Sequence, residues 1–402
     1  MPTKPRCLIF NAAFPVLGGG ERYTVALGTV IAETHLVTYA GPNQPLPDRV
    51  RQLGFPALDV MLLTEAEFPS VSSQYDVAVF ITVDVPPRSF ATKSLAIVQF
   101  PRGVLPTRNP IRRWMVRGKL RRYHCVVYSE FVRDWLQQRW RVAGEVLMPP
   151  VVLAEPRRTA KENLILSVGR FTGRMGDEWY DKRQDVLIEA FSQLPALLRD
   201  SWRLVLVGGY APSPEMDAHI EQLRQRAAEL NISIETNVAP ERLAELQDRA
   251  RLFWHAAGFE RPPSQPEGVE HFGISTVEAM SHRAIPLVYA AGGQLEIVTP
   301  ATGRLWRSVP ELIEQTVTLM KASSAELDTM SDAARAASVR FGTARFNTEA
   351  RDLLERLGTR GVAAGRVRRA VDTRRRRARV RIYRINARLY AAFARYASRL
   401  RA

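Results

Sequence analysis

Short apolar runs alternate with longer amphipathic stretches through the first 150 residues. Five runs have the length and composition of buried strands, at 7–14, 35–40, 76–83, 95–100 and 125–129. Helix-like patterns lie between several of them, from Glu21 after the first run and over 131–140 after the last. Near-continuous apolar runs separated by helices are typical of a parallel sheet covered on both faces. The pattern therefore predicts an α/β domain over 1–150.

A second series of the same kind follows the stiff dipeptide Pro149-Pro150, which indicates a hinge. Its apolar runs lie at 164–168, 204–207, 232–238, 252–256 and 285–289, and its helix-like patterns cover 184–194, 215–230, 241–250 and 273–283. The two series predict two Rossmann-like, doubly wound domains, 1–150 and 151–330, that face a central cleft. Ligands of such sheets bind at the carboxyl ends of the strands.

The end of the chain differs in charge from the rest. The formal net charge is +16, but residues 358–402 contain 15 arginines and one acid, Asp372, whereas residues 1–357 carry 42 Lys and Arg against 40 Asp and Glu. Such a local excess indicates a partner of the tail rather than a property of the fold. We expect a helix over 331–357 to close the globular part and to return toward the first domain, and 358–402 to form an Arg-rich tail.

Cysteines, hydropathy and motifs argue against several classes of protein. Cys7 and Cys125 both lie in apolar runs, which predicts buried free thiols and a reducing compartment. The first residues show no signal-peptide region, and no stretch approaches ~20 apolar residues. No pair of histidines has metal-ligand spacing, and there is no nucleophile elbow or Walker loop. A cytoplasmic protein without a bound metal is expected.

Residues 270–278, Glu-His-Phe-Gly-Ile-Ser-Thr-Val-Glu, form the most informative stretch. The pattern predicts a helix from Gly273, whose first amides have no partner within the helix and attract an anion such as phosphate. Glu270 precedes the helix on a loop free to face a cleft, and Glu278 lies inside the helix, where it can accept hydrogen bonds from sugar hydroxyls. One segment could thus hold a diphosphate and a sugar. Judged by their spacing alone, the two glutamates could instead be an ordinary loop acid and a solvated acid on the helix face.

Other candidates fit the same ligand. The glycine loop at 18–20 follows the first strand and lets a ligand approach the backbone, although a tight turn also explains it. Arg170 follows a strand and Lys182 starts the next helix, so both could bind a diphosphate; solvated surface cations are the alternative. For His271, an orienting or packing role is favoured over a general-base role.

Six segments, in this order and spacing, carry a family resemblance. They are Leu-Ser-Val-Gly-Arg-Phe, Lys-Arg-Gln-Asp-Val-Leu-Ile-Glu-Ala-Phe, Trp-Arg-Leu-Val-Leu-Val-Gly-Gly, Phe-Trp-His-Ala-Ala-Gly, Glu-His-Phe-Gly-Ile-Ser-Thr-Val-Glu-Ala-Met and Ala-Gly-Gly-Gln-Leu-Glu-Ile-Val. With them the chain resembles the retaining glycosyltransferases of family 4 (glycosyl transferases group 1) over residues 7–357. The resemblance implies the GT-B fold and transfer of a sugar from a nucleotide diphosphate donor with retention of anomeric configuration.

The resemblance also implies a role for individual residues. Those that would bind the donor are Gly19, Gly20, Arg170, Lys182, Glu270, Gly273, Ile274, Ser275 and Glu278. Arg170 and Lys182 would neutralise its diphosphate, and Glu270 would contact the transferred sugar, so these three are the implied catalytic residues. The amides at 273–275 would hold phosphate, Glu278 the nucleotide ribose, and the glycines of the first domain would approach the diphosphate.

One position departs from the family pattern. Relatives with this Gly-Gly-Gln pattern often carry a histidine before a Phe-Pro or Tyr-Pro pair, where this chain has Gln99 before Phe100-Pro101. Gln99 can hydrogen-bond a sugar hydroxyl but cannot take a proton. This puts in doubt either acceptor activation at that position or the usual sugar geometry. Gln99 and His271 are assigned to the acceptor or sugar side.

The basic tail has the pattern of an amphipathic helix. Apolar residues over 378–400 recur at spacings of three and four, with arginines at many other positions. This pattern predicts that 366–402 binds an anionic membrane surface. A helix packed on the body, a disordered tail and, less favoured, a nucleic-acid-binding tail are the alternatives. A second basic cluster within 108–122 is interleaved with Trp114 and Met115.

Together these observations predict a hexosyltransferase of class EC 2.4. Its donor is a GDP- or UDP-sugar, its acceptor is lipid-linked or a polysaccharide, and it needs no metal and no permanently bound cofactor. It would be cytoplasmic or peripheral on the inner face of the plasma membrane. The alternatives are a sugar-nucleotide epimerase or hydrolase on the same fold, and a non-catalytic, membrane-associated scaffold.

Overall fold

A computed structural model of the 402-residue chain describes residues 4–12, 19–42, 59–102, 109–155, 160–172, 174–175, 178–179, 182–358, 378–381 and 383. The chain divides into two compact units. Unit 1 comprises Met1–Tyr128, Arg133–Leu147 and Phe346–Ala402, and unit 2 comprises Ser129–Val132 and Met148–Arg345.

Unit 1 is built on a seven-stranded sheet in which all neighbouring strands are parallel. Its strands are β1 (Arg6–Asn11), β2 (Leu36–Gly41), β3 (Asp59–Leu62), β4 (Val77–Thr82), β5 (Lys93–Val98), β6 (His124–Val127) and β7 (Glu145–Val146). They lie in the order β3-β2-β1-β4-β5-β6-β7, so the order reverses between β1 and β4. The predicted parallel α/β sheet is confirmed.

Four helices connect these strands or follow them: α1 (Gly19–Ala32), α2 (Phe68–Ser72), α3 (Pro110–Leu120) and α4 (Glu130–Trp140). Helix α1 covers one face of the sheet because Tyr23, Leu27 and Ile31 recur at a spacing of four and are fully buried in one core cluster with strand residues such as Ile9 and Val79. Helix α3 is different, since only Leu120 of its residues is buried.

Unit 2 repeats the same topology with a six-stranded parallel sheet in the order β12-β11-β8-β13-β14-β15. Its strands are β8 (Glu162–Val168), β11 (Arg203–Gly208), β12 (Ile232–Thr236), β13 (Ala250–His255), β14 (Ile285–Tyr289) and β15 (Arg304–Trp306), and β9 (Arg174–Met175) and β10 (Glu178–Trp179) form a separate antiparallel pair. Its helices are α5 (Gln184–Ser192), α6 (Ala196–Arg199), α7 (Pro214–Ala227), α8 (Pro240–Arg249), α9 (Ile274–Ser281), α10 (Gln294–Ile297), α11 (Val309–Lys321) and α12 (Ser324–Ser338).

The continuous apolar runs of unit 2 follow from burial of both faces of its sheet. Successive side chains of a strand point to opposite faces. Ile165 accordingly belongs to one core cluster, while Leu164 and Leu166 belong to another. A strand with a core on each side needs an apolar residue at every position, which produces a run rather than an alternating pattern.

The last long helix of the described chain, α13 (Thr343–Arg356), belongs to unit 1 from Phe346 onward. Its buried residues Phe346, Ala350 and Leu353 recur at spacings of four and three and pack into the core of that unit. The single helix expected over 331–357 is therefore two helices instead. They are separated by a 3-10 turn, Val339–Phe341, and by Gly342, which is extended (φ −68°, ψ 161°) and pairs with Val151 in a β-bridge.

Several elements differ from the prediction. The short edge strands β3, β7 and β15 were not predicted, because two to four residues carry too little pattern. Strand β1 ends at Asn11, whereas the apolar run continues to 14, and residues 13–18 lie outside the described part of the chain. Most of the tail, 359–377 and 384–402, also lies outside it, so the helix predicted there stays a prediction.

Two predictions, one on the cysteines and one on membrane-spanning helices, can be compared with the structure. Cys7 and Cys125 are both buried free thiols, as predicted, and burial raises the pKa of Cys125 to about 12. Among the described residues, no helix is both long enough and apolar enough to cross a bilayer.

Candidate functional site

In unit 2 the strand order reverses between β8 and β13, and this is where ligands of doubly wound sheets bind. Arg170 follows β8 and is exposed, and His255 is the last residue of β13. Lys182 does not start a helix as predicted, because α5 begins two residues later and Arg183 between them has a left-handed φ of 54°. Arg170 and Lys182 both lie between β8 and α5.

The carboxylate of Glu270 is the centre of the site. Its Oε2 lies 2.5 Å from Lys182 Nζ and 3.2 Å from His255 Nε2, and its side chain is 19% exposed. The loop acid Glu270 is therefore held by two partners. One of them, Lys182, was predicted to serve the diphosphate, and the other, His255, was not predicted as a site residue at all.

The contact at Nδ1 of His255 indicates which of its ring nitrogens carries the proton. Its Nδ1 lies 3.3 Å from Nε2 of Gln294, an amide nitrogen that can only donate, so Nδ1 accepts. In the neutral ring the proton is then on Nε2, the atom that faces Glu270. The same Gln294 nitrogen donates to Oγ1 of Thr276 in the first turn of α9 at 3.0 Å. Gln294 thus connects the histidine to the start of that helix.

The charges of this group follow from burial and from the neighbours. Burial alone would raise the pKa of Glu270, but Lys182 and His255 hold that pKa well below its ordinary value. Burial lowers the pKa of His255, and Lys182 lowers it further, while Glu270 acts in the opposite direction. The site at neutral pH therefore contains an ionised carboxylate between an ammonium group and a neutral imidazole.

Two glycines fix the backbone at Glu270. Gly292 has a left-handed φ of 62°, and a Cβ on it would overlap the carbonyl oxygen of Glu270. The amide of Gly293 donates to that same oxygen at 2.9 Å. The Gly292-Gly293 turn is therefore packed directly against the acidic residue, which no larger residue would allow.

Helix α9 starts next to the same group. Gly273 is its N-cap residue with φ 122°, a conformation that favours glycine, and the helix begins at Ile274 rather than at Gly273 as predicted. The amides of Ile274 and Ser275 are the first of the helix, where no carbonyl of the preceding turn is available. Glu278, half-buried, is the fifth residue of the helix. His271 is half-buried beside Glu270.

The remaining predicted residues lie in unit 1. Gly19 and Gly20 are the first two residues of α1, after β1. Gln99 follows β5, and a Cβ on Gly20 would overlap the Gln99 amide nitrogen. The structure thus brings Gln99 and the glycine loop together, although they are far apart in the sequence. Gly18 lies outside the described residues.

The segment that supplies all the unit 2 candidates can be compared with known families. Residues 153–336 match the family model described as Glycosyl transferases group 1. The group 1 match includes Arg170, Lys182 and the whole stretch from His255 to Gln294. Comparison with curated proteins gives no match.

Solved structures share the fold of both units. Alr3699/HepE of Anabaena in complex with UDP has 17% identity and a TM-score of 0.66, over 87% of this chain and 100% of that chain. The same protein with UDP-glucose has 17% identity and a TM-score of 0.64, over 88% and 100%. WaaG, a glycosyltransferase involved in lipopolysaccharide biosynthesis, has 16% identity and a TM-score of 0.61, over 86% and 99%. The two-sheet architecture is the GT-B fold.

Sequence reasoning missed two residues of the site, His255 and Gln294. Both lie in strings that carry the family resemblance, Phe-Trp-His-Ala-Ala-Gly and Ala-Gly-Gly-Gln-Leu-Glu-Ile-Val. The available signal was a histidine at the carboxyl end of a buried strand, directly at the predicted ligand edge.

Among the described residues, no cluster of His, Cys, Asp and Glu is placed to hold a metal.

Proposed function

We propose that the chain is a retaining glycosyltransferase that transfers a hexosyl group from a UDP- or GDP-sugar to a lipid-linked or polysaccharide acceptor. The observation that carries the proposal is the Lys182–Glu270–His255 group, which lies at the strand-order reversal of unit 2 and directly precedes the amino end of α9. The group 1 match and the fold shared with a UDP-glucose complex support it.

The proposed role of each charge follows from the reaction. Breaking the anomeric C–O bond develops negative charge on the leaving diphosphate and positive charge on the sugar. The negative charge on the diphosphate is stabilised by Arg170, Lys182 and the first amides of α9. The positive charge on the sugar is stabilised by the Glu270 carboxylate. The Lys182 side chain is 32% exposed, so it can contact a phosphate while it stays paired with Glu270.

The other assignments are part of the same proposal. The amides at 273–275 hold a phosphate, and Glu278 accepts hydrogen bonds from the ribose. Gly19 and Gly20 allow close approach of the donor, and Gln99 and His271 serve the acceptor or sugar side. Gln99 cannot accept a proton, so the departing phosphate takes the proton of the acceptor hydroxyl, which is compatible with retention. No metal is required by this scheme.

The tail completes the proposal. We propose that 366–402 keeps the enzyme at an anionic membrane surface, close to a lipid-linked acceptor, on the cytoplasmic side. The 15 arginines of 358–402 are the basis for this assignment.

The decisive experiment combines donor binding with transfer. Thermal unfolding with UDP- and GDP-sugars should identify one donor that raises the midpoint. Transfer with that donor should be lost in Glu270→Ala and retained in Glu241→Ala, a matched acid exposed on α8. Donor turnover at full rate without acceptor would instead indicate an epimerase or hydrolase. If no donor binds, the result would favour the alternative of a non-catalytic scaffold.

A further inference from the structure

Helix α3 of unit 1 turns an apolar stripe outward. Ile111, Trp114 and Met115 are spaced i, i+3 and i+4, so they share one face of the helix. Their exposed fractions are 65%, 75% and 38%, and at Gly118, one turn further, an added Cβ would meet nothing within 4 Å. A helix normally buries such a stripe in its own core. Here the stripe is presented to the surroundings.

The same helix is surrounded by positive charge. Residues 109–122 contain six Lys and Arg and no acid: Arg112, Arg113, Arg117, Lys119, Arg121 and Arg122. In the part of the chain that the structure describes, none of the six lies within 4.0 Å of a carboxylate oxygen. An exposed apolar stripe on a segment with six cations and no acid differs from an ordinary solvated helix, where charges of both signs alternate.

The described residues of the basic tail, 378–381 and 383, dock beside the carboxyl end of α3. Residues 378–381 are helical, and Val380 is only 6% exposed. The ring of Tyr383 lies edge-on to the buried Phe90, with centroids 5.7 Å apart. These contacts are all within unit 1. Two basic segments that are more than 250 residues apart in the sequence therefore meet on one surface.

Three guanidinium groups converge at this contact. The Cζ of Arg88 lies 5.4 Å from the Phe90 ring and 5.7 Å from the Tyr383 ring, and the Cζ of Arg122 lies 5.9 Å from Phe90. Burial lowers the pKa of Arg122, and the nearby cations Arg88 and Arg379 lower it further. The aromatic faces offset part of this repulsion, and an anion would offset the rest.

We propose that α3 and the docked residues 378–381 and 383 form one surface, the α3–tail surface, that binds an anionic lipid bilayer. Ile111, Trp114 and Met115 would enter the interface between headgroups and acyl chains, and the flanking cations would contact lipid phosphates. A second copy of the chain is a poor occupant because it would present the same cations. Nucleic acid would use the cations but would leave the aliphatic part of the stripe unexplained.

The α3–tail surface rests on the membrane binding proposed for 366–402 and extends it to α3. The test uses the full-length protein and vesicles, without donor or acceptor, so its outcome is separate from that of the proposed transferase activity. Flotation with phosphatidylcholine vesicles containing phosphatidylglycerol should show binding that phosphatidylcholine alone does not support. The double variant Ile111→Ser/Trp114→Ser should lower the partition coefficient by about tenfold or more, because it removes the residues that enter the interface. Leu197→Ser is the matched control, since Leu197 is 92% exposed on unit 2.

Two further measurements separate the parts of the surface. Tyr383→Ala should weaken vesicle binding while far-UV circular dichroism stays unchanged, because it detaches the tail from Phe90. The blue shift of tryptophan fluorescence on anionic vesicles should be lost in Trp114→Phe. Equal partitioning of the wild type and the Ile111/Trp114 variant would overturn the proposal. So would binding of a single-stranded RNA in the absence of any vesicle binding. An unchanged Tyr383→Ala variant would remove the tail from the surface.

Discussion

Glu270 is a largely buried carboxylate that stays ionised because two side chains face it. Taking a charge out of water costs free energy unless a partner is close. Lys182 at 2.5 Å and the Nε2 side of His255 at 3.2 Å supply these partners. Loss of either partner leaves a buried charge, so we expect substitutions at these residues to affect both stability and activity.

The first prediction concerns Lys182. Lys182→Gln keeps a polar side chain of similar length but removes the positive charge that faces the leaving diphosphate. Loss of one such donor should raise the barrier by ~2.7–4 kcal/mol, which is a decrease of about 10²–10³ in kcat. Steady-state transfer assays measure this decrease. Lys321→Gln, on the exposed carboxyl end of α11, should be unaffected. An active Lys182→Gln enzyme would contradict the assigned role.

The second prediction concerns the pH dependence of stability and His255. Because burial depresses its pKa in the folded state, the folded ring stays neutral where the unfolded ring takes up a proton. The free energy of unfolding should therefore decrease as pH falls below the ordinary histidine value of 6.5. This single group contributes a slope of at most ~1.4 kcal/mol per pH unit.

Chemical denaturation at pH 7 and pH 5 measures this slope. His255→Gln should show a smaller loss of stability over that interval than the wild type. The same loss in His255→Gln and wild type would show that other groups cause it.

At the scale of elements, the turn before α10 positions the loop before α9. Gly292→Ala adds a Cβ that overlaps the Glu270 carbonyl and places alanine at a left-handed φ. Gly358→Ala has the same backbone strain, with φ 61°, but nothing lies within 4 Å of its Cβ. We expect Gly292→Ala to lose more than about 1 kcal/mol of unfolding free energy, and to lose more than Gly358→Ala does. Equal losses would mean that the loop can move away.

The second prediction at this scale concerns helix α13. Phe346 is fully buried in the core of unit 1 and packs edge-on against Tyr23, with centroids 5.2 Å apart. Phe346→Ala should reduce the free energy of unfolding by ~3–5 kcal/mol. The matched change is Arg351→Ala on the same helix, which removes an exposed ion pair with Glu33 and should cost much less. Urea denaturation of both variants distinguishes core packing from surface charge.

At the scale of the whole molecule, a ligand of unit 2 should stabilise the protein by an amount that rises with the logarithm of its concentration. A nucleotide diphosphate sugar at a hundred times its Kd should add ~2.7 kcal/mol to the free energy of unfolding of the unit that binds it. Differential scanning calorimetry with and without the donor measures the effect, and separate transitions would show which unit is stabilised. Arg170→Gln should reduce the stabilisation, and Lys4→Gln should not.

The sequence by itself determined the class of fold and the order of its main elements, because strands buried on both faces require continuous apolar runs. The start of α9 could also be predicted to within one residue, since Gly273 and the polar residues after it are local signals. The unpredicted edge strands and the break at Gly342 have weak local patterns, and their neighbours in space decide them. The residues that meet at the carboxyl ends of β8 and β13 depend on strand order.

Strand order is a property of the tertiary structure. It pairs Lys182 with Glu270 across 88 residues and adds His255 and Gln294, which no local spacing connects. The tertiary structure also leaves the apolar stripe of α3 exposed, although the sequence pattern of this helix would equally fit a buried helix. Local sequence determines most of the elements that form, whereas only packing determines the short edge strands and which side chains the elements bring together.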